Sequence, residues 1–162
     1  MTDAAASPLP DNRQKARNRS AAPVRENPIR ALILDDSNFD RKRLRRIARQ
    51  IGVPLEITDA ASMIAFEKQL DATRFNIVFI DHRLPEGDGM EALKMLRDHP
   101  INNNAAGIVV AGELEPDTVA QAFRNGCKDY IAKHNLDTRG LRHSVLTALG
   151  AARQSEQHAL PK

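Results

Sequence analysis

Five short apolar runs, each followed by a segment of helical periodicity, constrain this chain more than any other feature. Ile29 to Leu34, Leu55 to Thr58, Ile77 to Ile80, Ile108 to Val110 and Asp129 to Ala132 are brief and mostly rich in β-branched side chains. Apolar residues then recur at three- and four-residue spacing. They are Leu44, Ile47, Ala48 and Ile51 after the first run, and Met63, Phe66 and Leu70 after the second. Leu93 and Leu96 follow the third, and Leu141, Val145, Ala148 and Leu149 follow the fifth. Pro116 to Asn125 is a further helix, closed by Gly126, which takes a left-handed cap at little cost. Strands that are apolar on both faces must be covered on both faces. Strictly alternating βα units do this with right-handed crossovers and helices on either side of a parallel sheet. The expected class is α/β, a doubly wound (βα)5 domain with a five-stranded parallel sheet.

Ligands of such sheets sit at the carboxyl ends of the strands, so the residues that end the runs carry the chemistry. The third run ends on Asp81, and Pro85, Gly87 and Gly89 then predict an irregular loop before a helix from Met90 to about His99. A lone acid there is equally well read as a turn residue. The first run, however, ends on Asp35-Asp36, and Ser37 with Asp40 three residues on resembles a capping box that opens a helix from Asn38 to Ile51. With those strands adjacent, three carboxylates crowd one edge, an arrangement that calls for a cation. All-oxygen donors suit Mg²⁺ or Mn²⁺, so Asp35, Asp36 and Asp81 are the candidate metal ligands. The fifth run is followed by Lys133, a cation suited to a phosphoryl oxygen.

This combination of Asp35-Asp36, Asp81 with Leu84-Pro85 and Gly87-Asp88-Gly89, Gly126, Asp129-Tyr130 and Lys133 resembles the receiver domain of two-component response regulators. The similarity runs from about Ile29 to Ala152. The resemblance implies a flavodoxin-like fold with strand order 2-1-3-4-5, and it implies that Asp81 is the phosphoacceptor. It further implies that Mg²⁺ is bound by Asp36, Asp81 and the backbone carbonyl of Arg83, with Asp35 acting through water, and that Lys133 contacts the phosphoryl group. The partners it implies are a histidine kinase or histidine phosphotransfer protein. These would dock on the first helix, where Lys42, Arg45, Arg46 and Arg49 form a basic face. Two positions depart from the pattern. Ala111 stands where receivers carry a Thr or Ser that couples to Tyr130, so both switch positions, Ala111 and Tyr130, are expected to respond weakly. His134 stands where many receivers have Pro after the Lys, and a trans bond is expected there.

Charge and composition bound the remaining readings. The chain carries 24 Lys and Arg against 21 Asp and Glu. The segment through Arg30 holds six basic residues and three acids, which accounts for the whole net +3. Residues 1–27, poor in large apolar side chains, are expected to be a disordered basic arm, residues 28–153 the receiver domain, and residues 154–162 a flexible tail. No base-reading motif accompanies the charge, so nucleic acid is not the expected partner. With one cysteine, no apolar run long enough for a membrane span and no hydrophobic signal core, the chain is expected to be cytoplasmic. No output domain is recognisable after the last helix, so a stand-alone receiver is expected, not an enzyme. It would signal by protein contact or serve as a phosphorelay intermediate or phosphate sink. An aspartate-nucleophile phosphatase would want a second acid two residues after Asp81, where Arg83 stands. The alternative retained is a phosphorylation-independent receiver-like interaction module.

Overall fold

The β-branched runs all form strands, and the computed structural model describes residues 28–159, with side chains through residue 150. The arm expected over residues 1–27 and the last three residues of the tail lie outside the described residues. The element order is β1 (Ile29–Leu34), α1 (Asn38–Ala48), β2 (Leu55–Ala60), α2 (Met63–Ala72), β3 (Ile77–Asp81), α3 (Gly89–Asp98), β4 (Ala106–Ala111), α4 (Pro116–Arg124), β5 (Asp129–Ala132) and α5 (Thr138–Ala159). The five strands form one parallel sheet in the order β2-β1-β3-β4-β5, the doubly wound arrangement expected.

Period-two alternation along each strand divides the interior into two cores. Ala31, Ile33, Ile77, Phe79, Ile108 and Val110 point to one face, where α1 and α5 cover them with Leu44, Ile47, Leu141, Val145 and Ala148. Leu32, Leu34, Val78, Ile80 and Val109 point to the other, beneath Phe66 and Leu70 of α2, Leu93 and Leu96 of α3 and Ala122 of α4. Every residue of β3 is buried, since it lies between two strands and beneath helices on both sides. Phe66 and Phe79 are each no more than 1 % exposed, and truncating such a ring to Ala removes about 3–5 kcal/mol.

At the opposite end of the sheet from the acids, buried Asn102 satisfies three backbone groups. Its Oδ1 accepts from Phe75 N at 2.7 Å, and its Nδ2 donates to Leu70 O at 2.8 Å and Thr73 O at 2.9 Å. This ties the α2–β3 connection to the α3–β4 connection and fixes where β3 enters the sheet.

Several boundaries differ from expectation, each for a local reason. Strand β4 starts at Ala106, because pairing with Ile77 begins there. Its Gly107 also leaves room for α3, since a Cβ at that position would lie 2.8 Å from Leu93 Cδ2. The segment after Asp81 is not irregular: Arg83–Leu84 pairs antiparallel with Gly87–Asp88 across Pro85-Glu86. The α3 helix begins at Gly89, with the Asp88 side chain accepting from Glu91 N at 2.9 Å. Helix α5 continues to Ala159, through most of the stretch assigned to a flexible tail, because no Gly or Pro interrupts the chain between Ala151 and Leu160.

Candidate functional site

Strands β1, β3 and β5 all point their carboxyl ends at one edge, so Asp35, Asp81 and Lys133 converge although they are far apart in sequence. Asp35 and Asp81 are each 6 % exposed, whereas Asp36 faces solvent. One carboxylate oxygen from each of Asp35, Asp36 and Asp81 falls within 4.8 Å of the others. Local bonds orient the two buried acids. Asp35 accepts from Ser37 N at 2.8 Å, and Asp81 accepts from Arg83 N at 3.4 Å, which keeps the Arg83 backbone beside the acid. Gly89 lets the start of α3 close over this edge: its N–H donates to His82 O at 2.9 Å, and a Cβ there would lie 3.0 Å from Asp81 O.

Lys133 supplies the cation. Its Nζ lies 2.8 Å from Asp40, 3.1 Å from Asp35 and 3.3 Å from Asp81. Burial alone pulls the ammonium toward its neutral form. The hydrogen bond to Asp40, then the charges of Asp81 and Asp35, more than reverse this, and Lys133 is held above the usual lysine range. Asp81 goes the other way from a normal acid. Burial first, and then the charge of Asp35, push its carboxyl up from 3.8 to about 6, despite the lowering effect of Lys133. One ammonium is too little for this many acids, and the shortfall is what a divalent cation on an all-oxygen donor set would meet. Asp35, Asp36 and Asp81 therefore fit a hard metal ion.

A cavity of about 360 Å³ opens beside Asp81 and is lined also by Arg83, Ala111, Thr118, Tyr130 and Lys133. Ala111 ends β4 at 1 % exposure and brings no hydroxyl to it. Tyr130 is 8 % exposed, and its hydroxyl has no hydrogen-bond partner among the described residues. Burial holds that phenol above its ordinary range. The peptide bond between Lys133 and His134 is trans.

The basic face of α1 is divided. Lys42, Arg46 and Arg49 are exposed, but Arg45 turns to β2 and pairs with Asp59 at 2.5 Å. Three residues of this helix were not read as site residues from the sequence. Arg41 donates to Asp35 O at 2.7 Å, Arg43 donates to Lys133 O at 2.9 Å, and Asp40 is the nearest acid to Lys133. The signal for Asp40 was present but read as a cap. Ser37 does accept from Asp40 N at 3.2 Å, while the Asp40 carboxylate bonds Lys133 instead of closing the box.

Known proteins resemble this chain in sequence and in fold. A response regulatory protein of Vibrio vulnificus is 29% identical over 127 residues, covering 78% of this chain and 50% of that protein. A protein-glutamate methylesterase/protein-glutamine glutaminase of Xanthomonas oryzae is 32% identical over 121 residues, 72% of this chain and 32% of that protein. The chain thus spans about half the length of the first of these relatives and a third of the second. Among solved structures, a CheY-like response regulator receiver domain protein from Methanospirillum hungatei superposes with TM-score 0.66 at 23% identity, covering 79% of this chain and 98% of that one. A Burkholderia pseudomallei response regulator with a phosphorylated aspartic acid, calcium ion and citrate gives TM-score 0.63 at 23% identity, covering 81% of this chain and 73% of that one. The model of the response regulator receiver domain matches residues 31–145, which include both acidic strand ends and Lys133. With that match over most of its length, and the sheet order and convergent acids already described, the chain belongs to the response regulator receiver domain family.

Proposed function

We propose that this chain accepts a phosphoryl group on Asp81 from a phosphohistidine donor, with a divalent cation held by Asp35, Asp36 and Asp81. The observation that carries the reading is the buried Asp81 carboxylate, within reach of two further acids and 3.3 Å from the Lys133 ammonium. A Cys or Ser nucleophile would need a neighbouring base, but a carboxylate needs only charge neutralisation and alignment. An Asp81 oxygen forms the new bond to phosphorus, the bond from phosphorus to the donor's imidazole nitrogen breaks, and the electron pair stays on that nitrogen. Lys133 offsets charge on the phosphoryl oxygens. A cation held by Asp35, Asp36 and Asp81, Mg²⁺ or Mn²⁺, would supply Lewis-acid charge neutralisation there. The phosphorylated aspartic acid and calcium ion in the Burkholderia structure support the same chemistry here.

Lys42 and Arg46, exposed on α1, and Arg49, exposed at its C-cap, would guide a histidine kinase or phosphotransfer protein to this helix. Ala111 favours a role as phosphorelay intermediate or phosphate sink, since no hydroxyl at that position links the phosphoryl group to Tyr130. The same residue is the one observation in favour of a phosphorylation-independent interaction module, against which the complete set of Asp35, Asp36, Asp81 and Lys133 weighs more. Incubation with Mg²⁺ and acetyl phosphate, followed by intact-mass measurement, separates the two. A single phosphoryl adduct that is lost in Asp81→Asn supports the proposal, and no adduct, or an adduct retained in Asp81→Asn, refutes it.

A further inference from the structure

Lys133 is gripped at both ends by one helix. Its ammonium lies 2.8 Å from Asp40, in the first turn of α1. Its carbonyl accepts from Arg43 at 2.9 Å, and the same guanidinium reaches Leu136 O at 3.4 Å. Asp40 and Arg43 are three apart, hence on one face of the helix. Asp40 itself is anchored by the Ser37 hydroxyl on its backbone N–H. Its carboxylate is half-buried and lies outside the group formed by Asp35, Asp36 and Asp81. An ammonium has three donors, and here it faces three carboxylates, two of which also belong to the candidate metal site.

That sharing poses a conflict. A divalent cation bound to Asp35 and Asp81 would claim the same charges that now neutralise Lys133, and the two cations would repel each other. Resting on the metal and phosphoacceptor reading above, we propose that Asp40 is a positioning residue. It gives Lys133 a seat of its own, so that the metal can take Asp35, Asp36 and Asp81 without leaving the ammonium unpartnered. Without Asp40, Lys133 has only the metal's own ligands to pair with and competes for them. Arg43 keeps the backbone of Lys133 fixed, so the ammonium shifts between neighbouring acids and does not leave the site.

The experiment is a Mg²⁺ titration by calorimetry of the wild type, Asp40→Asn, Lys133→Met and the double variant. The seat predicts that Asp40→Asn weakens Mg²⁺ binding at least threefold when Lys133 is present and less than twofold when it is Met. Equal effects in the two backgrounds would reduce Asp40 to one more distant negative charge and overturn the proposal. A second measurement needs no variant. On saturation of the wild type with Mg²⁺, the carboxyl ¹³C resonances of Asp36 and Asp81 should move strongly and that of Asp40 little. An Asp40 resonance that moves as far as that of Asp36 would make Asp40 a metal ligand and also overturn the proposal. A wild type that binds no Mg²⁺ sinks the metal reading together with this one, whereas normal Mg²⁺ binding with no coupling sinks this one alone.

Discussion

Neutralising Asp81 should make the metal-free protein more stable, although it would destroy the proposed reaction. Asp81 ionises near 3.8 when unfolded and near 6 in the native state, where burial and Asp35 oppose its charge. Between those values the native protein holds a proton that the unfolded chain has released, so wild-type stability falls as pH rises through that window and stays reduced above it. A difference of about two units corresponds to about 3 kcal/mol at most, since each unit is worth about 1.4 kcal/mol. In Asp81→Asn the amide also presents a donor toward Lys133, which takes back part of the gain. The expected stabilisation is therefore about 1–3 kcal/mol at about pH 7.5, shrinking toward zero at about pH 4. For a domain of this size that is a rise in Tm of about 3–10 °C. The chain has no tryptophan, so urea unfolding followed by far-ultraviolet circular dichroism in EDTA is the suitable assay. Millimolar Mg²⁺ should narrow the gap by stabilising the wild type, because a ligand that binds only the native state adds to its stability. An Asn variant that is equally or less stable at neutral pH, or whose difference from wild type does not change with pH, would refute the reasoning.

Other perturbations test the remaining parts of the site. Asp36→Ala should lower Mg²⁺ affinity by at least about tenfold, or about 1.4 kcal/mol, measured by calorimetry, because the exposed acid is the ligand metal reaches first. Replacing Lys42, Arg46 and Arg49 by Glu should slow transfer from a phosphohistidine donor by about tenfold and leave acetyl phosphate labelling unchanged, since exposed charge acts on encounter. Ala111→Thr should enlarge the amide chemical-shift changes around Tyr130 on adding beryllofluoride, and equal changes in both proteins would show that a hydroxyl at this position does not couple the two.

The alternating βα class and the placement of Asp35, Asp81 and Lys133 at strand ends were legible because both follow from repetition, whereas the sheet order, and with it their convergence, was implied by the resemblance to receivers. Five apolar runs alternate with helical periods, and each chemical residue stands directly after a run. What sequence could not supply was direction around a helix at the resolution of single side chains. Lys42, Arg45, Arg46 and Arg49 form one basic face by spacing, yet Asp59 on β2 claims Arg45, and that acid is recognisable as a partner only once β2 lies beside α1. Asp40 was read only in part for a related reason: the pattern marked the cap that Ser37 does form, but not the partner of the Asp40 carboxylate. Ser-x-x-acid is a local pattern with a local explanation, whereas its true partner lies 93 residues away. The hairpin at Arg83–Leu84 and Gly87–Asp88 was hidden because its strands are too short to show any periodicity.

Sheet order also governs when the site comes into being. Lys133 reaches back 98 residues to Asp35, and β5, which carries it into place, is a four-residue strand at the edge of the sheet, paired among the described residues with β4 alone. A chain emerging from the ribosome can build β1 and β3 side by side before β5 exists, and its acids then stand together without an ammonium. Contacts between such distant segments form late, because the entropy of closing the intervening loops must be overcome first. The full constellation is therefore a property of the finished fold, and a chain that has not yet docked β5 carries the acids without the ammonium that offsets their charge.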